Sequence, residues 1–225
     1  MTKRRKWTAI PGLLALAAGA VMLSAYSGAS SSQGSAPTQP IAFSHPVHVQ
    51  KLGINCIYCH YAANKSMDPG LPAVSTCMGC HTIVTATNPA VKQDVGALAA
   101  DIDKLTKYAA QNHPIPWIRI HKVPEYVHFP HMRHVNAGVT CQTCHGQVQK
   151  MMPVYQASSL NMGWCVSCHV NGYSPKEGLE AAGYSPDSAS KAAEAALLNP
   201  AESHRRLTVV AGRIKARYDC AACHY

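Results

Sequence analysis

Apolar positions in this 225-residue chain gather in an uncharged block near the N-terminus and in a stretch of helical period near the middle. Residues 7–29 carry no charge, and 13–23 consist only of Leu, Ala, Gly, Val and Met. A run of about 20 apolar residues suits a membrane-spanning helix. Lys3, Arg4, Arg5 and Lys6 before it would keep the N-terminus in the cytoplasm. A cleaved export signal is the alternative, with Ala18-Gly19-Ala20 or Ser27-Gly28-Ala29 as the small-residue site. The expectation is a signal-anchor or transmembrane helix over 1–29 and a linker over 30–40, where Gly34, Pro37 and Pro40 lie. Further on, Val91, Val95, Leu98, Ile102, Leu105 and Ala109 recur at helical spacing. Asn88-Pro89 offers an N-cap and a first-turn proline, and His113-Pro114-Ile115-Pro116 a stop, so a connecting helix is predicted over 88–112. A second, Ala-rich helix is predicted to open at Ser185-Pro186-Asp187 and to be interrupted by Pro200.

Between these stretches the chain repeats itself. Phe43-Ser44-His45-Pro46-Val47-His48-Val49 and Phe129-Pro130-His131-Met132-Arg133-His134-Val135 both read F-x-H-x-x-H-V. Each is followed by two C-x-x-C-H motifs. Residues 41–81 and 129–169 are therefore two copies of one unit, and a fifth motif stands at the end of a 185–225 segment.

The five motifs are Cys56/Cys59/His60, Cys77/Cys80/His81, Cys141/Cys144/His145, Cys165/Cys168/His169 and Cys220/Cys223/His224, and they use all 10 cysteines. In C-x-x-C-H two thiols add to the haem vinyl groups as thioethers, and the adjacent His becomes the proximal iron ligand. A redox dithiol or a zinc knuckle could explain one copy. Five copies, each with its His and with no cysteine left over, point to five covalent haems c and leave no disulfide. Only two Phe and three Trp are present. Porphyrins must then supply much of the core of a 41–225 pentahaem domain. The fold class expected is mostly α and irregular, haem-packed, with little or no strand.

Eight histidines lie outside the motifs: His45, His48, His113, His121, His128, His131, His134 and His204. Paired at His-x-x-His on a turning segment, two rings diverge and can serve two irons. This assigns His45 to the haem of Cys56 and His131 to that of Cys141, with His48 and His134 capping other haems. His121 is the next candidate. His113, His128 and His204 read rather as solvated or hydrogen-bonded side chains. Met152 and Met162, ahead of the fourth motif, are alternative thioether ligands or packing residues.

Charge adds little. Of the formal +9, the four cations at positions 3–6 supply four, leaving +5. Each ferric haem with both propionates ionised contributes about −1, which brings the sum near zero. Nucleic acid is not indicated. Arg205, Arg206, Arg213, Lys215 and Arg217 form a basic C-terminal region that could pair with propionates, dock an acidic partner or simply face solvent.

The F-x-H-x-x-H-V segment resembles small bis-His cytochromes of the c3/c7 type. The wider pattern adds Pro-Trp-Ile-Arg-Ile-His-Lys-Val-Pro at 116–124, Met-Gly-Trp-Cys at 162–165 and the terminal fifth motif. It resembles the pentahaem cytochrome subunit of alternative complex III, a quinol:electron-acceptor oxidoreductase. His128 before Phe129-Pro130 departs from that pattern and leaves open which histidine of the cluster is a ligand. The resemblance implies a non-catalytic electron-transfer subunit on the periplasmic face of the cytoplasmic membrane. Its implied partners are an iron–sulfur subunit, polytopic quinol-binding subunits and a monohaem cytochrome c, with a soluble cytochrome c, a blue-copper protein or an oxidase as acceptor. Two alternatives would need an open iron: a quinol-dehydrogenase anchor cytochrome feeding a periplasmic reductase, and a multihaem enzyme of the nitrite or hydroxylamine type.

Overall fold

The residue ahead of each helical turn that carries an attachment motif stands in extended backbone, and the turn either opens on the motif or leads into it. The computed structural model describes residues 9–26, 32–198 and 208–224. Asn55 accepts the Ile57 N–H at 3.1 Å and starts α2, Cys56–Cys59. Asn161 accepts the Trp164 N–H at 2.8 Å and starts α8, Met162–Asn171. Ala73 precedes α3, Val74–His81, and Thr140 precedes α7, Cys141–His145. The fifth motif opens on a 3-10 turn, Cys220–Ala222, preceded by Asp219. Such caps satisfy amide groups that a short helix cannot pair internally.

The segment read as one connecting helix comprises α4, Pro89–Val95, and α5, Ala99–Ala110. Asn88 caps the first as its sequence suggests, accepting from Ala90 N–H at 3.0 Å. Gly96 at φ +54 separates the two, a conformation that disfavours a side chain. Leu105 of α5 packs with Ile41 and Ile115, and Val74, Cys77, Met78, Tyr108 and Trp117 close around them. This small cluster seats the connecting helix on the second motif. The 32–40 stretch is pinned by Gly34 N–H to Gln156 O, 2.8 Å, and by a two-way bond between Gln39 and Ile118.

Near the C-terminus α9, Pro175–Ala181, packs against α10, Pro186–Leu198. Strands β1, Thr208–Val210, and β2, Arg213–Lys215, form the one sheet among the described residues. Their two-residue turn, Ala211 and Gly212, has both φ positive, as a tight hairpin matching strand twist requires. The architecture is thus mostly helical and irregular, with little strand.

The N-terminal expectation needs correction. Helix α1, Ala9–Tyr26, forms with 18 residues. Among the described residues no helix is long and apolar enough to cross a membrane. The basic cluster at 3–6, Pro200, His204, Arg205 and Arg206 lie outside the described residues.

Candidate functional site

The two F-x-H-x-x-H-V copies fold alike around their phenylalanines. His45 leads into a π-helical turn, Pro46–Lys51, and His131 begins α6, His131–Val135. Phe43 meets the His45 ring edge-on at 4.8 Å and lies against the His48 ring at 4.4 Å, 25° between planes. Phe129 meets His131 edge-on at 4.9 Å and His134 at 4.4 Å and 29°. One aromatic wedge therefore holds each histidine pair apart and fixes both rings, an arrangement favourable in itself by about 0.5–1.5 kcal/mol per aromatic contact.

The paired histidines face motif histidines. His48 stands 6.1 Å from His81, His131 stands 6.3 Å from His145, and His134 stands 6.0 Å from His169, measured between ring centroids. Metal–imidazole bonds of about 2.0 Å on either side of one ion place two ring centroids about 6.2 Å apart. His45 lies near enough to His60 to feel its charge. The residues present thus fit haem iron held between two imidazoles.

Hydrogen bonds fix which ring nitrogen is offered. Nδ1–H of His60 donates to Gly70 O (2.9 Å), and that of His81 to Val84 O (2.8 Å). His48 bonds Ser44 O (2.8 Å), His131 bonds Met67 O (2.7 Å), His134 bonds Pro130 O (3.1 Å), and His169 bonds Arg217 O. A carbonyl only accepts, so the proton sits on Nδ1 and the Nε2 lone pair is left for a metal. Burial also keeps the rings neutral. It is the leading cause of lowered values for His48, His121 and His134, of about 4 for His45 and of about 3 for His145. Neutral imidazole is the ligating form.

The thiols do not suit the competing readings. All 10 cysteines are free. Burial pushes up the thiols of Cys59, Cys77, Cys165 and Cys168, and takes Cys144 to about 12. A redox dithiol needs the opposite shift within the motif pair; the Cys56 thiol does go down, to about 6, but through the neighbouring Cys141 of another motif and not through its own partner Cys59. Among the described residues no three His, Cys, Asp or Glu side chains converge as a zinc centre requires. Beside the motifs Ile57, Tyr58, Tyr61, Leu71 and Ile83 are exposed, apolar surface suited to a porphyrin face.

The remaining candidates separate. His121 meets His145 edge-on at 4.2 Å, too close to share one ion with it, and its buried Nε2 has no hydrogen-bond partner. His113 is exposed just beyond α5, and Met162 is 65% exposed at the start of α8. Met152 is 38% exposed in the irregular segment between the third and fourth motifs. His128 N–H donates to Cys223 O at 2.7 Å, which sets that residue beside the fifth motif. The Tyr126 ring lies 5.8 Å from that of His224. Sequence reasoning passed over the roles of Phe43 and Phe129, although these are the only two Phe in the chain and both stand in the repeat. It could not find the carbonyl partners of Nδ1, because any residue can supply a carbonyl.

No family model matches the chain. It is similar to the multiheme cytochrome c subunit of menaquinone reductase from Nitratidesulfovibrio vulgaris, 26% identical over 153 residues, covering 59% of this chain and 68% of the relative. The likeness is to a multihaem cytochrome c subunit and is not specific to alternative complex III.

Proposed function

We propose that this chain is an electron-transfer subunit carrying five covalent haems c in a membrane-associated quinone-linked complex. The ten motif cysteines hold the porphyrins, and His60, His81, His145, His169 and His224 are the proximal ligands. His45, His48, His131 and His134 serve as distal ligands opposite His60, His81, His145 and His169. His128, whose backbone N–H meets Cys223 O, is the candidate for the iron of the fifth motif. The observation that carries the reading is the repeated separation of 6.0 to 6.3 Å between facing imidazoles. A bis-imidazole haem supplies a one-electron couple without an open coordination position, so the chain is an electron carrier rather than an enzyme.

The relative's name refers to a menaquinone reductase, which supports a quinone-linked partner complex. Membership of alternative complex III in particular is supported by the pattern at 116–124, at 162–165 and at the terminal motif. The partners would then be an iron–sulfur subunit, polytopic quinol-binding subunits and a monohaem cytochrome c, with cytochrome c or a blue-copper protein as acceptor. Placement on the outer face of the cytoplasmic membrane follows from thioether attachment, which takes place outside the cytoplasm. It is supported by the exposed apolar side chains Leu13, Leu14, Leu16, Val21 and Met22 of α1.

A pyridine haemochrome assay on purified protein tests the count. Five covalent haems per chain are expected, and four after Cys141→Ala with Cys144→Ala. Five in that double variant would refute the assignment.

A further inference from the structure

We propose that the five attachment sites form a single row in the order second, first, third, fourth, fifth, the two repeated units being joined through their first motifs. This rests on the five-haem reading above and extends it to the spatial order, which the sequence does not give.

The joint between units is the best marked. Nδ1 and the backbone N–H of His131 both bond Met67 O, at 2.7 and 3.0 Å. Met132 N–H bonds Ser66 O at 3.0 Å, and Asn136 Nδ2 bonds Asn64 O at 3.0 Å. Helix α6 of the second unit is thus seated on the stretch that follows the first motif. In the reciprocal direction, the π-helical turn Pro46–Lys51 packs beside the 3-10 turn Val148–Lys150, which follows the third motif. Met67 stands eleven residues after Cys56, and Met152 eleven after Cys141. A contact made twice between equivalent surfaces is that of a two-fold arrangement. It sets the Cys56 thiol beside that of Cys141 and His60 within electrostatic reach of His145.

Inside each unit the geometry is repeated. His48 reaches His81, and Cys59 feels Cys80. His134 reaches His169, and Cys144 feels Cys168 and Cys165. The fifth motif then follows the fourth. Cys165 feels Cys223, and His169 Nδ1 bonds Arg217 O, three residues ahead of Cys220. Among the described residues no ring contact or hydrogen bond ties the second motif to the third, fourth or fifth. Chain order would require the second beside the third. The row instead ends at the second and fifth sites, each with a single neighbour, and these are the ends a redox partner can approach.

The test is nuclear Overhauser spectroscopy on the reduced, fully loaded protein. Single substitutions Cys80→Ala, Cys56→Ala and Cys220→Ala each leave one thioether and mark one porphyrin by its unreacted vinyl group. The porphyrins marked at the second and fifth sites should each contact one neighbour, and the one marked at the first site should contact two. Two neighbours at the second or fifth site, or one at the first, would overturn the order. If a marked variant fails to load, the adjacent His48→Met or His131→Met variant identifies the same row through the shift of one ligand resonance. A haemochrome count below five removes the underlying reading and the order with it. A count of five with a different contact pattern removes the order alone.

Discussion

Nδ1 of His131 hydrogen-bonds the backbone carbonyl of Met67 at 2.7 Å, across 64 residues of sequence and from one repeated unit to the other. One bond therefore does two things. It orients an imidazole for its metal, and it ties the two units together. Each such bond contributes about 0.5–1.5 kcal/mol net, and more is lost when the remaining partner is left buried without one.

Replacing His131 with Ala should leave five covalent haems, because the thioethers are untouched, and convert one low-spin iron to high spin. Added imidazole should restore the low-spin signal in electron paramagnetic resonance. An unchanged spectrum in the variant would remove His131 as a ligand.

Phe129→Ala should disturb two irons at once, since the ring bears on both His131 and His134. A stability loss of about 2–4 kcal/mol is expected from removing a large packed ring, with broadened low-spin signals. Phe129→Leu should recover part of the stability and less of the spectral definition. Equal behaviour of the two variants would deny the wedge its orienting role.

Acid should act late. The folded values of His45 and His145 are depressed, to about 4 and about 3, chiefly by burial. The unfolded chain takes up these protons below about 6.5 while the folded chain refuses them. Stability from these rings is therefore complete above about pH 6.5 and is lost as pH falls through about 4 and then about 3. Ring protonation followed by NMR on the haem-free chain should leave both imidazoles neutral at pH 5 and charge them only near about 4 and about 3. Protonation near pH 6.5 would contradict the burial.

The third motif should also respond to a change on α9. A Cβ on Gly178 would lie 1.8 Å from the Tyr173 hydroxyl oxygen. That oxygen accepts the Thr140 N–H at 3.2 Å, and the Thr140 hydroxyl donates to Gly178 O at 2.9 Å. Gly178→Ala should therefore cost about 1–3 kcal/mol in denaturant unfolding, as overpacking does. Gly178→Ala combined with Tyr173→Phe should recover part of the loss. No recovery would place the strain elsewhere.

Much of the site was legible because its chemistry is local in sequence. A thioether pair with its proximal ligand needs five consecutive residues, and a wedge with two histidines needs six. The repeat therefore names its residues without any fold. The helix caps at Asn55, Asn88 and Asn161 are local as well. The apolar run at 13–23 is local too, but among the described residues it does not make a helix long and apolar enough to cross a membrane.

Only the tertiary structure decided what depends on contact across the chain. His121 and His131 are both histidines near the third motif, yet one lies 4.2 Å from His145 and the other 6.3 Å. The carbonyls that fix Nδ1 belong to residues of no special type, and Met67 is recognisable only once α6 rests on it. Sequence determined which atoms can bind, because bonding follows residue type and short spacing. The fold determined which of them meet, because that follows from the packing of segments far apart in the chain.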